Sequence, residues 1–134
     1  MNQLNPQVLY LLFITKGEWM DQSKIFPDDI IRVILYSAYE THGNIELDFS
    51  WLHQLIYISK KISPHLFEEF VFNTSGTQPY SELLERIIMR GRISGIISPS
   101  DRLSPVPNEY VQEKLYPKFK PEDLIILKSI GRFV

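Results

Sequence analysis

The chain has 134 residues, of which 44% are hydrophobic, 13% aromatic and 22% charged, with a formal net charge of -2 and no cysteine. That length suits one domain with a real core, and the composition excludes disordered and fibrous classes. Without cysteine there are no disulfides or thiolate metal sites, and no apolar run approaches the ~20 residues that span a bilayer.

Residues 1 to 6 are polar and uncharged, and the apolar run from Val8 to Ile14 is followed by Lys16 and Glu18 rather than by a small-residue cleavage site. No secretory signal is expected, and the cysteine-free composition is compatible with a cytoplasmic setting. Asn5-Pro6 can open a helix over Val8 to Phe13 that ends near Gly17, and a buried strand fits the same continuous run nearly as well. Trp19 and Met20 fall in a connector. Pro27-Asp28-Asp29 opens the clearest helix: proline suits the first turn and acids suit the exposed N–H groups there. Its apolar residues, Ile30, Ile31, Val33, Ile34, Leu35, Ala38 and Tyr39, run to the Gly43-Asn44 stop. Asp28 and Asp29 are adjacent rather than stacked, so they read as capping residues and not as a catalytic pair.

Ile45 to Leu47 reads as a short strand, and Asp48 or Ser50 as the cap of a helix from Trp51 to Ile62. Leu52, Leu55, Ile56 and Ser59 face inward on it, while His53, Gln54, Lys60 and Lys61 face out. Ser63-Pro64 stops it. Leu66 to Phe72 is a candidate strand, Ser75-Gly76 a break, and Pro79 the first turn of a helix reaching about Arg90. Leu83, Leu84, Ile87 and Ile88 form its apolar stripe. Ile93 to Ile97 reads as a second strand, and the prolines at 99, 105 and 107 as a loop or wing. A helix from Tyr110 to Leu115 and another opening at Pro121-Glu122-Asp123 complete the chain. No internal repeat or long linker divides it.

Charge is uneven: residues 1–48 hold three Lys/Arg against seven Asp/Glu, and residues 49–134 hold eleven against nine. The local field of one face is thus left open despite the acidic total. Catalytic patterns are missing. His42, His53 and His65, spaced by 11 and 12 residues, match no short metal-ligand motif. There is no GxSxG elbow and no glycine loop ending in Gly-Lys-Ser/Thr. Glu82 and Glu85 are paired carboxylates only if a cleft brings them a substrate. Ser75-Gly76-Thr77 is a turn or an anion nest before the next helix. Neither an enzyme nor a bound cofactor is expected.

Trp51-Leu52-His53-Gln54-Leu55-Ile56-Tyr57, then Phe67 to Phe72, Gly76, Pro79-Tyr80-Ser81 with Leu83, and Gly95-Ile96-Ile97 form a familiar order. Across residues 28–97 this resembles small archaeal and microbial winged-helix-like proteins related in pattern to Panacea-type antitoxin domains. Thr77 and Gln78 split the family's Gly-Pro-Tyr-Ser turn, and His53-Gln54 stands where its Gln-Lys would be. The resemblance implies antitoxins, regulators or protein-binding adaptors, with Pro79, Tyr80 and Ser81 setting the start of the recognition helix.

The expected fold is therefore mostly α with a small antiparallel sheet (α+β): a single winged helix-turn-helix-like domain over 1–134, its terminal elements packed on a 28–97 core. Ile34, Leu55, Leu84 and Ile88 should share that core. Two functions remain open. One is a DNA-binding regulator or antitoxin-like factor using Arg86, Arg90 and Arg92, with Lys60 and Lys61 on the preceding helix and Ser81 at the helix start. The other is a winged-helix protein-interaction or dimerisation module. The expected partners are duplex DNA, a second copy or another protein, and no membrane.

Overall fold

The computed structural model describes residues 24–104 and 108–134; the segment around Val8 and Trp19 lies outside them. Helix α1, Pro27–His42, starts as its sequence predicts. Pro27 stands in the first turn, and the Asp29 carboxylate accepts from the Phe26 N–H at 2.9 Å. Gly43, at φ 73°, ends it. Helix α2, Phe49–Ile62, is capped by Asp48, whose side chain accepts from the Trp51 N–H at 3.1 Å. Pro64 stops α2 and also begins the short turn α3, Pro64–Phe67, where its missing N–H costs nothing. Helix α4 spans Glu82–Ser94, capped by the Ser81 hydroxyl. After it come α5 (Asn108–Tyr110), a π turn (Val111–Leu115), a 3-10 turn (Tyr116–Lys118) and α6 (Pro121–Gly131).

The expected sheet and wing are absent: among the described residues there is no strand, only single antiparallel bridges joining Glu46 to Arg102, Ile97 to Leu103 and Asn73 to Tyr80. Three local causes account for this. Ile93 belongs to α4, because the stripe Leu84, Ile87, Ile88 continues through Gly91 at helical spacing and leaves Ile93 86% exposed. Only at Gly95, left-handed at φ 86°, does the helix end. The expected strand Leu66 to Phe72 is a turn instead. Phe67 and Phe70, three residues apart and both fully buried, follow a helical repeat, which an alternating strand could not bury. The segment expected as a wing folds into a tight turn, with the Asp101 N–H donating to the Ser98 carbonyl at 2.9 Å. Two bonds join it to residues 45–47, from Leu47 N–H to Asp101 O and from Leu103 N–H to Ile45 O, and the Ser104 N–H donates to Ile96 O. Pro99 lacks the N–H group that would lengthen such pairings into a ladder, and the prolines at 105 and 107 lie outside the described residues.

Ile34, Leu84 and Ile88 do share the main core, together with Phe67, Phe70, Ile97, Leu103 and Leu127, whereas Leu55 is buried outside that cluster. Replacing the fully buried Leu84 by alanine should cost roughly 2–4 kcal/mol in urea unfolding. A loss below ~0.5 kcal/mol would contradict this burial, since such a change is no larger than a surface substitution gives.

Helix α6 closes the core against α1. The Ser37 hydroxyl donates to the Lys128 carbonyl at 3.1 Å, and Gly131 lies so close to Ile34 and Ser37 that a Cβ there would sit 2.7 Å from Ser37 Cβ. A nearly dry ion pair holds the start of α1 as well. Lys118 Nζ lies 3.0 Å from Asp29 Oδ2, and the two side chains are only 15% and 9% exposed. The same ammonium donates to the Lys24 carbonyl at 3.2 Å.

Candidate interaction surface

The residues expected to meet DNA are turned toward the protein's own groups. Arg90 makes a two-pronged pair with Asp28 of α1, at 2.7 and 2.9 Å. Arg92 pairs with Asp101 at 3.1 Å and lies over the Phe49 ring at 4.8 Å. Arg86 reaches Glu82 one turn back at 3.4 Å. Lys60 donates to the Phe70 carbonyl at 2.6 Å, and Lys61 rests 4.5 Å over the Tyr57 ring. Ser81 is completely buried. The α2 and α4 helices are also separated by the nineteen-residue stretch from Ser63 to Ser81, so they form no helix-turn-helix. With neither wing nor helix-turn-helix among the described residues, the expected winged-helix DNA-binding protein and the winged-helix interaction module both lose their structural basis.

His53, expected on the outer side of α2, is instead buried beneath the start of α4. Its Nδ1 accepts from the Ser81 N–H at 3.1 Å, which places the ring proton on Nε2, 3.1 Å from the Glu85 carboxylate. Tyr80 stacks on the ring at 4.9 Å. The imidazole thereby supplies one of the partners that the first N–H groups of a helix need. Nothing local in the sequence announces this contact, since His53 and Ser81 are 28 residues apart.

A second polar cluster joins α1 to the π turn: Gln112 donates to the Tyr36 hydroxyl at 2.7 Å, and Tyr36 meets Tyr116 edge to face at 6.3 Å. Burial first, then the charge of Glu40 and the nearby Tyr36, push the Tyr116 phenol up from 10.0 to about 12. Ionisation therefore disfavours the folded chain. The contribution is fully present below the free value of about 10 and is lost as pH rises through about 12. Tyrosinate absorbance should show Tyr116 titrating after the exposed tyrosines, and a Tyr116→Phe variant should lack that late step.

An open cleft of about 170 Å³ between the start of α1 and α3 is lined by Ile25, Pro27, Ile30, Leu66 and Phe70, with His65, Glu68 and Glu69 also along its wall. His65 is already engaged with Asp123 of α6 at 2.9 Å. Among the described residues, no group of three metal-ligating side chains converges.

What the surface does offer is an apolar helix pair. Trp51 at the start of α2 donates its indole N–H to the Phe133 carbonyl just beyond α6, at 2.6 Å. His65, just past the end of α2, holds Asp123 at the start of α6. These two ties, one at each end, run α2 and α6 antiparallel, while α6 itself packs on α1. Trp51, Leu55, Ile58 and Ile62 recur at spacings of four, three and four, so they form one stripe along the α6 side of α2. Of these, Ile58 is 39% and Ile62 76% exposed; across the pair, Ile125 and Phe133 are 66% and 67% exposed. Leu55, read from the sequence as inward with Leu52, Ile56 and Ser59, is buried and also belongs to this stripe.

Among the described residues, the fold and this face define an all-helical domain with an exposed apolar seam, and no helix is long and apolar enough to cross a membrane. No family model, curated protein or solved structure matches the chain.

Proposed function

We propose that the protein is a non-catalytic binding module that holds another polypeptide against the α2–α6 face. The observation that carries this reading is the exposure of Ile58 and Ile62 on α2 and of Ile125 and Phe133 on and just beyond α6, two elements tied to each other near both ends. Contiguous exposed apolar surface is costly to leave in water and marks interaction sites, and a partner helix laid along such a seam would remove it from water. The cysteine-free sequence accords with work in the cytoplasm.

A benzophenone amino acid placed at position 62 or 125 and irradiated in cells tests this directly. A discrete polypeptide adduct, identified by mass spectrometry, is expected at both positions, and none at Gln78 in the exposed polar loop before α4. Adding Ile58→Glu should remove the adduct at position 62 without altering the circular dichroism. No adduct at either position, or equal labelling at Gln78, would overturn the reading.

A further inference from the structure

We propose that His53 is an acid-released pin for the loop from Asn73 to Ser81, and that a second proton on its ring frees the start of α4 from α2. The loop rests on α2 at two points one turn apart. On one arm Phe72 meets Tyr57 edge to face at 5.3 Å, and on the other Tyr80 stacks on His53 at 4.9 Å. Between the arms the Asn73 and Tyr80 backbones exchange hydrogen bonds of 2.8 and 3.0 Å, leaving residues 74–78 exposed. The Tyr80 arm ends at Ser81, whose N–H donates to His53 Nδ1 at 3.1 Å.

That bond requires a lone pair on Nδ1, and a neutral imidazole has one nitrogen of that kind. Nε2 carries the proton and donates it to Glu85 at 3.1 Å, so both ring nitrogens are committed. A second proton would go to Nδ1 and set two donors face to face. His53 is 4% exposed and Ser81 fully buried, so neither donor can turn to water instead. The positive charge itself is not what the site refuses. Glu85 lies opposite Nε2 and the Tyr80 ring lies over the imidazole, and both accommodate a cation. The Ser81 N–H is the group that must move.

The neighbouring charges are engaged elsewhere: Glu82 of α4 holds Arg86, and on α2 Lys60 donates to the Phe70 carbonyl, Lys61 lies over Tyr57 and Asp48 caps Trp51. The pinned form therefore binds one proton fewer on His53 than the released form. Pinning is fully present above the ~6.5 of a free imidazole and is lost as pH falls below it, by at most ~10-fold per pH unit. On release the Tyr80 arm leaves α2, while Phe72 stays on Tyr57 and Glu85 still holds α4 to the ring.

Amide exchange of the full chain, read by NMR as protection relative to the free-chain rate at each pH, tests the pin. From ~pH 7.5 to ~pH 5.0 protection at Ser81 should fall at least ~10-fold, while Ile88 in the middle of α4 keeps its own. The midpoint should match that of ring protonation, followed by the nitrogen shifts of His53. His53→Asn offers a carbonyl oxygen in place of Nδ1 and does not titrate, so its Ser81 protection should change less than ~2-fold over that range. If that variant does not fold, the agreement of the two wild-type midpoints decides alone. Glu85→Gln should still release, because the lost bond is on the other nitrogen; if its response vanishes, the carboxylate is the sensor and the proposal falls. It falls equally if the wild-type ring stays neutral at ~pH 5.0, if the ring takes its second proton with Ser81 protection unchanged, or if His53→Asn responds like wild type.

Discussion

Replacing Lys118 by methionine is expected to destabilise the protein by about 3 kcal/mol, although methionine fills nearly the same space. Asp29 is 9% exposed at its side chain, and its carboxylate is shared between the Lys118 ammonium and the Phe26 N–H. Removing the ammonium leaves a desolvated charge with one hydrogen bond. That uncompensated charge, rather than the lost attraction, is the larger part of the cost. A companion change distinguishes the two. Asp29→Asn with Lys118→Met removes the charge and keeps an oxygen for the Phe26 N–H, so the pair should lie within about 1 kcal/mol of wild type. Urea unfolding of the two variants decides it. If Lys118→Met alone costs less than ~0.5 kcal/mol, the pair is better solvated than its geometry implies, as exposed pairs are.

Gly131→Val should be comparably damaging, at about 3 kcal/mol. The atoms that a Cβ would meet are the Ile34 carbonyl oxygen at 2.8 Å, Ser37 Cβ at 2.7 Å and Ser37 Oγ at 2.9 Å. None is the free end of a flexible side chain, so α1 and α6 must separate to admit the new methyls. In isolation, helix propensity favours replacing glycine by up to ~1 kcal/mol, and valine forfeits part of even that gain. Packing therefore outweighs propensity here. Gly131→Ala should fall between, losing about 1–2 kcal/mol. A valine variant that melts like wild type would mean the two helices are not in the contact described.

The helix starts at Pro27 and Pro121 were legible in the sequence, as was Asp48 as one of two cap candidates beside Ser50, because each is set by residues within one turn. The non-local part was not legible. Ile93 and Ile97 look alike as β-branched residues, yet Ile93 is on the outer side of α4 and Ile97 is in the core, because Gly95 between them ends the helix. Propensity pointed to a strand, and the helical stripe from Leu84 to Gly91 prevailed. The candidate contacts failed for a related reason. Arg90 was read as the helix's last turn and Arg92 as just beyond it; both lie inside α4, which runs to Ser94, and the acids that engage them, Asp28 and Asp101, are brought there by the fold. Of the interaction face, the α2 half could be counted off as a second stripe. The α6 half depended on Trp51 meeting Phe133 across 82 residues.

The contact between Ser37 and Lys128 spans 91 residues, and this separation also matters during synthesis. At ~5–20 residues per second, the ribosome makes the α6 side of α1 roughly 5–20 s before its cover exists. For that interval the apolar face around Ile34 is bare beside a chain that cannot yet complete its core. Chaperone binding to the nascent chain should therefore concentrate on α1, and releasing α6 from the ribosome should be the event that ends it.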